Sequence, residues 1–497
     1  MSFSKAFISS LLLAAASQAQ ILAPDNDITF PSTTNSQNPL QYSGGNSPYF
    51  AGPNANDIEN TVPDKCNVQQ AAYIVRHGSR FPDTGSYNSW VAIQEKIQAS
   101  KESKGFTAHG SLSFIPNWKT VLTNPTLQMA QQSLTGWKEA HDLGYQLRAR
   151  YPDFYEDGNP FYVWANQYKF PINESRVVQT ARAFVDGYLY EFADTYGTVV
   201  SVNSTGSVNA IGNSLGPSDA CPEFSAVSSG GDNVTDWDAT WTPKALQRIN
   251  SLVGGNLTFT ESEILFFPYL CGYESQILGR LSPWCNVFTQ NELVDYAYSQ
   301  DLSYYYKVGP GADGPAPKLF LPFLDSLIKL LSKGPGQKGT GTDGSEFTVP
   351  NLIMAFLNDN QIAEMTAAIG IFDNEAHLPT THIPKNHLYN VAHWISMRGT
   401  TAFEVLNCTV ESGHHSSDQT YIRILLNDAV YPLPQCQSGP GKSCLLSEYA
   451  EFIEKKNKAA GNFNDYCNVT ESGHPTTVAG ASFFTDLSQD FLTFVKP

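Results

Sequence analysis

Residues 71–82 read Ala-Ala-Tyr-Ile-Val-Arg-His-Gly-Ser-Arg-Phe-Pro, a β-forming apolar run that ends in an Arg-His-Gly-x-Arg-x-Pro motif. The run predicts a buried strand, and the motif places the imidazole of His77 between Arg76 and Arg80 at its carboxyl end. Ligands bind at that end in open α/β sheets. Two fixed cations beside a neutral imidazole suit a phosphoryl group, because guanidinium groups hold its oxygens while a ring nitrogen attacks phosphorus. The alternative is a strand end with solvated arginines and a structural histidine.

The chain begins with the features of a secretory signal peptide. Lys5 is followed by a short apolar stretch, residues 6–16, and by the small-x-small site Ser17-Gln18-Ala19. We therefore expect residues 1–19 to be removed. The apolar stretch is shorter than the ~20 residues that a membrane-spanning helix requires, and no later segment of the sequence reaches that length. The mature protein is predicted to be secreted, either to the extracellular space or to a cell wall, without a membrane association.

Paired cysteines and glycosylation sequons are also typical of a secreted protein. The eight cysteines are widely spaced and contain no CxxC pair, so we expect four disulfides, whose pairing the sequence alone does not determine. Asn-x-Ser/Thr sequons occur at Asn173, Asn203, Asn233, Asn256, Asn407 and Asn468.

The net charge of −17 argues against nucleic acid and anionic membranes as partners. It also repels anionic substrates, and this repulsion weakens as carboxylates protonate, which favours an acidic working pH. A GxGxxG match at 339–344 precedes a predicted strand and opens no helix, so it indicates a linker. No group of histidines has a recognised metal-ligand spacing. We therefore predict no cofactor and no metal, while the oligomeric state stays open.

The pattern of predicted elements indicates an α/β protein with two lobes. Residues 20–60, rich in Asn, Ser, Pro and Gly, are predicted to form an extended surface arm or to be partly disordered. Residues 61–209 and 345–497 alternate strands and helices and are assigned to one catalytic α/β domain, whereas residues 210–344 are assigned to a mainly helical insertion or cap. The predicted strands are 71–75, 161–165 and 352–357, with β-rich segments at 388–407 and 420–430; the predicted helices are 90–99, 134–151, 177–196, 243–253, 290–306, 318–332, 361–369 and 446–458.

The Arg-His-Gly-x-Arg-x-Pro motif, in an exported glycoprotein with eight cysteines, resembles the histidine acid phosphatases. This branch of the histidine phosphatase superfamily includes fungal acid phosphatases and phytases. The resemblance runs from about Cys66 to the C-terminus. It implies a phosphoglycerate-mutase-like α/β sandwich domain with a smaller inserted helical domain. It also implies His77 as the nucleophile, with Arg76 and Arg80 as phosphate ligands.

The resemblance implies three further site residues. Arg176, in Glu-Ser-Arg-Val-Val at the start of a predicted helix, matches a third phosphate-binding arginine, and a helix N-terminus favours anions. The family's His-Asp signature corresponds to Asn358-Asp359, so the acid is kept and the histidine is replaced. Asp359 is expected to protonate the leaving oxygen, and Asn358 to donate an amide hydrogen bond to phosphate without carrying charge. The alternative for Asn358 is a capping box with Gln361.

The disulfide pairing that the resemblance implies is Cys66 with Cys408, Cys221 with Cys467, Cys271 with Cys285, and Cys436 with Cys444. The implied activity is hydrolysis of small-molecule phosphate monoesters through a phosphohistidine at acidic pH. A phytase is the close alternative, although residues 81–85 add none of the Lys or Arg that inositol hexakisphosphate favours. Because of Asn358, a phosphate-binding protein without turnover is a second alternative.

Overall fold

One large mixed sheet organises the computed structural model, which describes residues 38–167, 176–226, 231–412 and 415–497. The strands in these ranges are β1 Cys66–Arg76, β2 Phe106–Ala108, β3 Phe161–Gln167, β4 Gly197–Asn203, β5 Val253–Gly255, β6 Lys338–Thr340, β7 Glu346–Thr348, β8 Leu352–Leu357, β9 Thr400–Ser412, β10 His415–Leu426, β11 Ala429–Val430, β12 Cys444–Leu445 and β13 Leu492–Val495. The α-helices are α1 Thr84–Ser103, α2 Pro125–Gln128, α3 Leu134–Arg150, α4 Arg176–Leu189, α5 Ala193–Tyr196, α6 Pro222–Ala226, α7 Gly231–Asn250, α8 Glu261–Ile264, α9 Phe266–Leu278, α10 Gln290–Lys307, α11 Leu321–Ser332, α12 Asp359–Ala368, α13 Leu446–Ala460 and α14 Phe463–Tyr466.

The main sheet has the strand order β11-β10-β9-β1-β8-β3-β4-β13, with β12 paired to β10. Strands β1, β8, β3 and β4 run parallel to one another, whereas β9, β10 and β13 run antiparallel to their neighbours. In β1, Ala72 and Ile74 face one apolar core, and Ala71, Tyr73 and Val75 face the other. A central strand that is apolar on both faces must be covered on both sides, and this confirms the predicted α/β fold class.

Helices cover both faces of this sheet. On one face α3 and α4 pack closely, because a Cβ on Gly187 of α4 would lie 1.9 Å from the carbonyl oxygen of His141 in α3. On the other face, helices α7 to α12 contribute to one larger apolar core. The helical content of 231–332 agrees with the predicted pattern, while the limits of the two lobes stay a prediction.

Several segments differ from their predictions, among them the helix predicted at 243–253, which is part of α7 and ends at Asn250. The Gly-rich stretch at 334–344 is not an open linker: β6 and β7 form a hairpin, and Thr340 N donates to the Thr485 carbonyl at 2.8 Å. Glycine there serves the turn, since Gly344 has a φ of 80°. Residues 388–399 are not a strand, because β9 begins only at Thr400. Their apolar pattern reflects aromatic side chains, such as Trp394, that are buried from irregular backbone.

Part of the predicted arm, residues 39–46, enters the interior, while the extent of the arm stays a prediction. Pro39–Tyr42 and Gly44–Asn46 form two 3₁₀ helices, and Leu40 is only 2% exposed. The Asn38 side chain caps the first turn by accepting a hydrogen bond from Leu40 N. A composition rich in Asn, Ser and Gly supports tight turns as well as disorder, and here it allows the backbone to enter the interior. The predicted signal peptide and residues 20–37 lie outside the described residues.

All eight cysteines form disulfides in the structure. The pairs are Cys66–Cys408, Cys221–Cys467, Cys271–Cys285 and Cys436–Cys444, the same pairs that the family resemblance implies. The first joins β1 to β9 at directly opposed positions of the ladder. Of the sequon asparagines, Asn173 lies outside the described residues, and none of the other five is buried. Among the described helices, none has the length and apolar character needed to cross a bilayer.

A buried ion cluster joins the sheet to α3. Glu404 of β9 is fully buried; its carboxylate lies 2.7 Å from Arg150 Nη2 and accepts a hydrogen bond from Arg423 Nε. Burial alone raises the pKa of Glu404, but the two guanidinium groups lower it to about 2. Arg423 also donates to the carbonyls of Thr61 and Asn60 at 2.7 and 3.0 Å. The cluster therefore fixes the chain just before β1.

Candidate active site

The candidate site lies where the adjacent parallel strands β1 and β8 end. Arg76 is in register with Leu357, and the His77 N–H donates to the Leu357 carbonyl at 2.9 Å. Asn358 and Asp359 follow β8 directly, and α12 begins at Asp359. Parallel strands end at the same edge of a sheet, so two motifs that are far apart in sequence meet here.

Glycine in the motif allows its loop to pack against α3. A Cβ on Gly78 would lie 2.6 Å from the Gly136 carbonyl oxygen, and a Cβ on Gly136 would lie 2.0 Å from the Ser79 carbonyl oxygen. The Gly78 N–H donates to Thr180 Oγ1 at 2.9 Å, and that hydroxyl donates to the Arg176 carbonyl at 2.7 Å. The loop that carries the imidazole is thereby fixed against the first turns of both α3 and α4.

His77 is fully buried. Its Nδ1 lies 2.9 Å from the Gly78 carbonyl oxygen, so a ring protonated at Nδ1 donates there and leaves the Nε2 lone pair available. Nε2 has no hydrogen-bond partner among the described residues. Burial, followed by the charges of Arg176, Arg76 and Arg80, holds the pKa of His77 well below its usual value. A lowered pKa favours the neutral imidazole, which is the form that can act as a nucleophile.

Arg76 is held rigidly beside that imidazole. It is 2% exposed, and its Nη1 donates to the carbonyls of Gly45 and Ile395, both at 2.6 Å. Its Nη2 lies 3.7 Å from Asp359 Oδ2. Backbone carbonyls from two distant segments thus orient the guanidinium without neutralising its charge.

The other two arginines approach from the motif loop and from α4. Arg80 Nη1 donates to the Phe81 carbonyl at 2.9 Å, and its guanidinium lies 5.4 Å from the Tyr273 ring centroid. Arg176 Nη2 donates to Asn358 Oδ1 at 3.3 Å. Burial and the nearby charge of Arg80 lower the pKa of Arg176 to about 10, so it stays charged in acid.

Four buried nitrogen atoms of the site residues lack a hydrogen-bond partner among the described residues. The Nε atoms of Arg76, Arg80 and Arg176 are buried and have no hydrogen-bond partner within the described ranges, as is also true of His77 Nε2. Buried charges and donors are costly unless they are paired. Three like charges around a neutral imidazole therefore suit an anion with several acceptor oxygens.

Asp359 is a carboxylate in this site. Burial raises its pKa, but the charge of Arg76 and a hydrogen bond from Tyr304 hold that pKa well below its usual range. The Tyr304 hydroxyl donates to Asp359 Oδ2 at 2.8 Å. The predicted role of Asp359 as an acid requires a proton, whereas its surroundings in the free site favour the carboxylate.

Asn358 does not form the alternative capping box. It is the N-cap residue of α12, but its side chain makes no capping hydrogen bond. Its Oδ1 instead accepts from Arg176, which leaves the two Nδ2 protons for another acceptor.

Sequence reasoning missed two residues that organise the site. Glu139 is 1% exposed, and its carboxylate accepts from Ser79 N at 2.7 Å, Ser79 Oγ at 2.8 Å and Tyr49 N at 2.9 Å. The available signal was a charged residue four positions before Leu143 on the apolar stripe of α3. Tyr304 was missed because it is one of three successive tyrosines, and each of them is equally consistent with packing of the helix.

Comparisons with known proteins agree with this geometry. The family model for the histidine phosphatase superfamily (branch 2) matches residues 67–427. Acid phosphatase PHO11 of Saccharomyces cerevisiae is 28% identical over 458 residues, which are 89% of this chain and 88% of that protein. Phytase PHO112 of Candida albicans is 28% identical over 469 residues, 92% of each chain. The crystal structure of the D. castellii phytase shares the fold, with a TM-score of 0.75, 24% identity and 93% coverage of both chains. Because the family model spans residues 67–427, well over half of its length, the chain belongs to branch 2 of the histidine phosphatase superfamily, a family of phosphatase enzymes.

Proposed function

We propose that the protein is a secreted phosphomonoesterase that hydrolyses phosphate monoesters at acidic pH through a phosphohistidine at His77. One observation carries the proposal: a buried neutral imidazole with an available Nε2 lies among three guanidinium groups whose Nε donors lack partners. The similar proteins named acid phosphatases support the reaction class. The signal-peptide pattern, the sequons and the four disulfides support secretion.

In the proposed ground state, the phosphate oxygens of the substrate bind to Arg76, Arg80 and Arg176. The Nδ2 of Asn358 adds a neutral donor, since its Oδ1 already faces Arg176. Binding replaces mutual repulsion among three cations by charge-assisted hydrogen bonds. This explains how a protein with a net charge of −17 attracts an anion locally.

In the first chemical step, His77 Nε2 attacks phosphorus in line. The P–N bond forms as the ester P–O bond breaks, and Asp359 gives a proton to the departing oxygen, which leaves as an alcohol. The bound phosphate offsets the charge of Arg76, the strongest influence that keeps Asp359 ionised. Below about pH 6 the ester itself brings a proton. At acidic pH, the complex with the substrate therefore contains the proton that Asp359 lacks in the free site.

In the second step, water hydrolyses the phosphohistidine. Asp359 accepts a proton from the attacking water, the P–N bond breaks, and inorganic phosphate and neutral His77 are released. Positioning and charge stabilisation supply most of the rate in phosphoryl transfer, and three arginines provide both.

Phytase activity is the second candidate. The specific observation in its favour is the similarity, over nine-tenths of both chains, to the Candida albicans protein named a phytase. The reaction at each phosphate is the same, so the two candidates differ only in how the remainder of the substrate is accommodated.

The test compares p-nitrophenyl phosphate and phytate as substrates of the purified glycoprotein between pH 2 and pH 7. We expect release from p-nitrophenyl phosphate with an acidic optimum, and phosphate trapped on the protein by a rapid alkaline, denaturing quench. His77→Ala is expected to abolish both signals, whereas His109→Ala, at an exposed histidine, retains them. A higher kcat/KM for phytate would favour the phytase. Binding of phosphate without release from either ester would refute the enzyme.

A further inference from the structure

Tyr304 of α10 links the proposed acid to the first described segment of the chain. Its hydroxyl donates to Asp359 Oδ2 at 2.8 Å. A Cβ on Gly45 would lie 2.9 Å from Tyr304 Oη and 3.3 Å from Arg76 Nη1. The Gly45 carbonyl also accepts from that same Nη1 at 2.6 Å. Arg76 and Tyr304 therefore both lie beside the Asp359 carboxylate, and Gly45 packs against these two side chains.

The phenol is a donor toward this carboxylate. Burial and the negative charge of Asp359 raise the pKa of Tyr304 well above its usual value, so the hydroxyl keeps its proton at any working pH of the protein. That proton is directed to Oδ2, which also lies 3.7 Å from Arg76 Nη2. Oδ1 is therefore the carboxyl oxygen left to carry a proton to a leaving group.

We propose that Tyr304 is a positioning residue for the phosphatase reaction: it fixes the carboxyl group of Asp359 through Oδ2, so that Oδ1 delivers the proton. Gly45 is part of the same device, because only a residue without a side chain leaves room for Tyr304 Oη beside Arg76. This inference rests on the proposed function. It assigns the tyrosine a role in leaving-group protonation and no role in phosphate binding.

Tyr304→Phe tests the inference, since it keeps the ring and removes the donor. For glycerol phosphate, a poor leaving group, we expect kcat to fall about tenfold, the scale of one hydrogen bond to a charged group. For p-nitrophenyl phosphate the loss should be much smaller, because that leaving group needs little protonation. KM should change little for either ester.

The pH profile gives an independent readout. A carboxylate that loses a hydrogen bond becomes easier to protonate, so the alkaline limb of kcat should move to higher pH in Tyr304→Phe. The variant is thus expected to have a lower kcat, while its Asp359 stays protonated up to a higher pH. Loss of packing alone would not move this limb.

Two further variants control the experiment. Tyr306→Phe removes a phenol from the same helix, one that donates to the Leu378 carbonyl at 2.7 Å, and should leave both readouts unchanged. Gly45→Ala should reproduce the selective loss with glycerol phosphate, because its Cβ displaces Tyr304 Oη.

Equal losses with the two esters, or an unshifted alkaline limb in Tyr304→Phe, would overturn the inference while the phosphatase activity of the unmodified protein stands. If the unmodified protein hydrolyses neither ester, the proposed function fails first, and the role of Tyr304 falls with it.

Discussion

Replacing Glu404 by Gln should measure how strongly the buried ion cluster stabilises the fold at each pH. Burial opposes ionisation, but Arg150 and Arg423 lower the pKa of Glu404 from an ordinary 4.5 to about 2. A lowering of this size corresponds to roughly 3 kcal/mol of folding free energy. Because the pKa is lower in the folded state, this stability is complete above about pH 4.5. It is lost as the pH falls through about 2.

The assay is urea unfolding followed by circular dichroism at pH 7, 5 and 3. Glu404→Gln should lower the free energy of unfolding by roughly 3 kcal/mol at pH 7 but by less than half as much at pH 3, where the native carboxylate has lost part of its advantage. Glu411→Gln, on the same strand but in an exposed pair with Lys65, is the matched control and should have no measurable effect. A deficit of equal size at pH 7 and pH 3 would refute the ionic origin of the effect.

Three further predictions concern the site. Asp359→Asn should lower kcat about 10²–10⁴-fold for alkyl phosphates and less for p-nitrophenyl phosphate, and equal losses in parallel steady-state assays would remove Asp359 from the acid role. Gly78→Ala should lower kcat/KM about 10²-fold, because its Cβ meets the Gly136 carbonyl at 2.6 Å and shifts the nucleophile; near-normal kinetics would show that the loop tolerates displacement. Asn358→His should lower KM only at the acidic end of the pH range, because Arg176 beside position 358 lowers the pKa of an imidazole there, and a KM ratio that is constant with pH would contradict this.

The elements that place the motifs could be predicted from local patterns. Residues 352–357 were predicted as a strand with the observed limits, and 71–75 lie within β1. Both are apolar runs of strand length with polar residues directly after them, which is the pattern of a buried parallel strand. The family resemblance implied that His77 and Asp359 act in one site, and the shared edge of the parallel strands β1 and β8 gives the physical reason.

The remainder of the site depends on contacts that no local pattern encodes. Tyr304, Tyr305 and Tyr306 are equivalent in sequence, and only the rotation of α10 against the sheet directs the first toward the acid. Gly45 lies in a segment whose composition favours disorder, yet burial against Arg76 orders it. Residues 388–399 were misassigned because apolar side chains indicate burial without specifying backbone conformation.

The central position of β1 also determines when an active molecule can first exist. This strand, made early by the ribosome, pairs on one side with residues 352–357 and on the other with residues 400–408. At roughly 5–20 residues per second, the nascent strand waits about 15–65 s for both neighbours. A polypeptide released before residue 352 contains the whole nucleophile motif but has neither adjoining strand to align it. Premature termination anywhere in the first two-thirds of translation should therefore yield only inactive product.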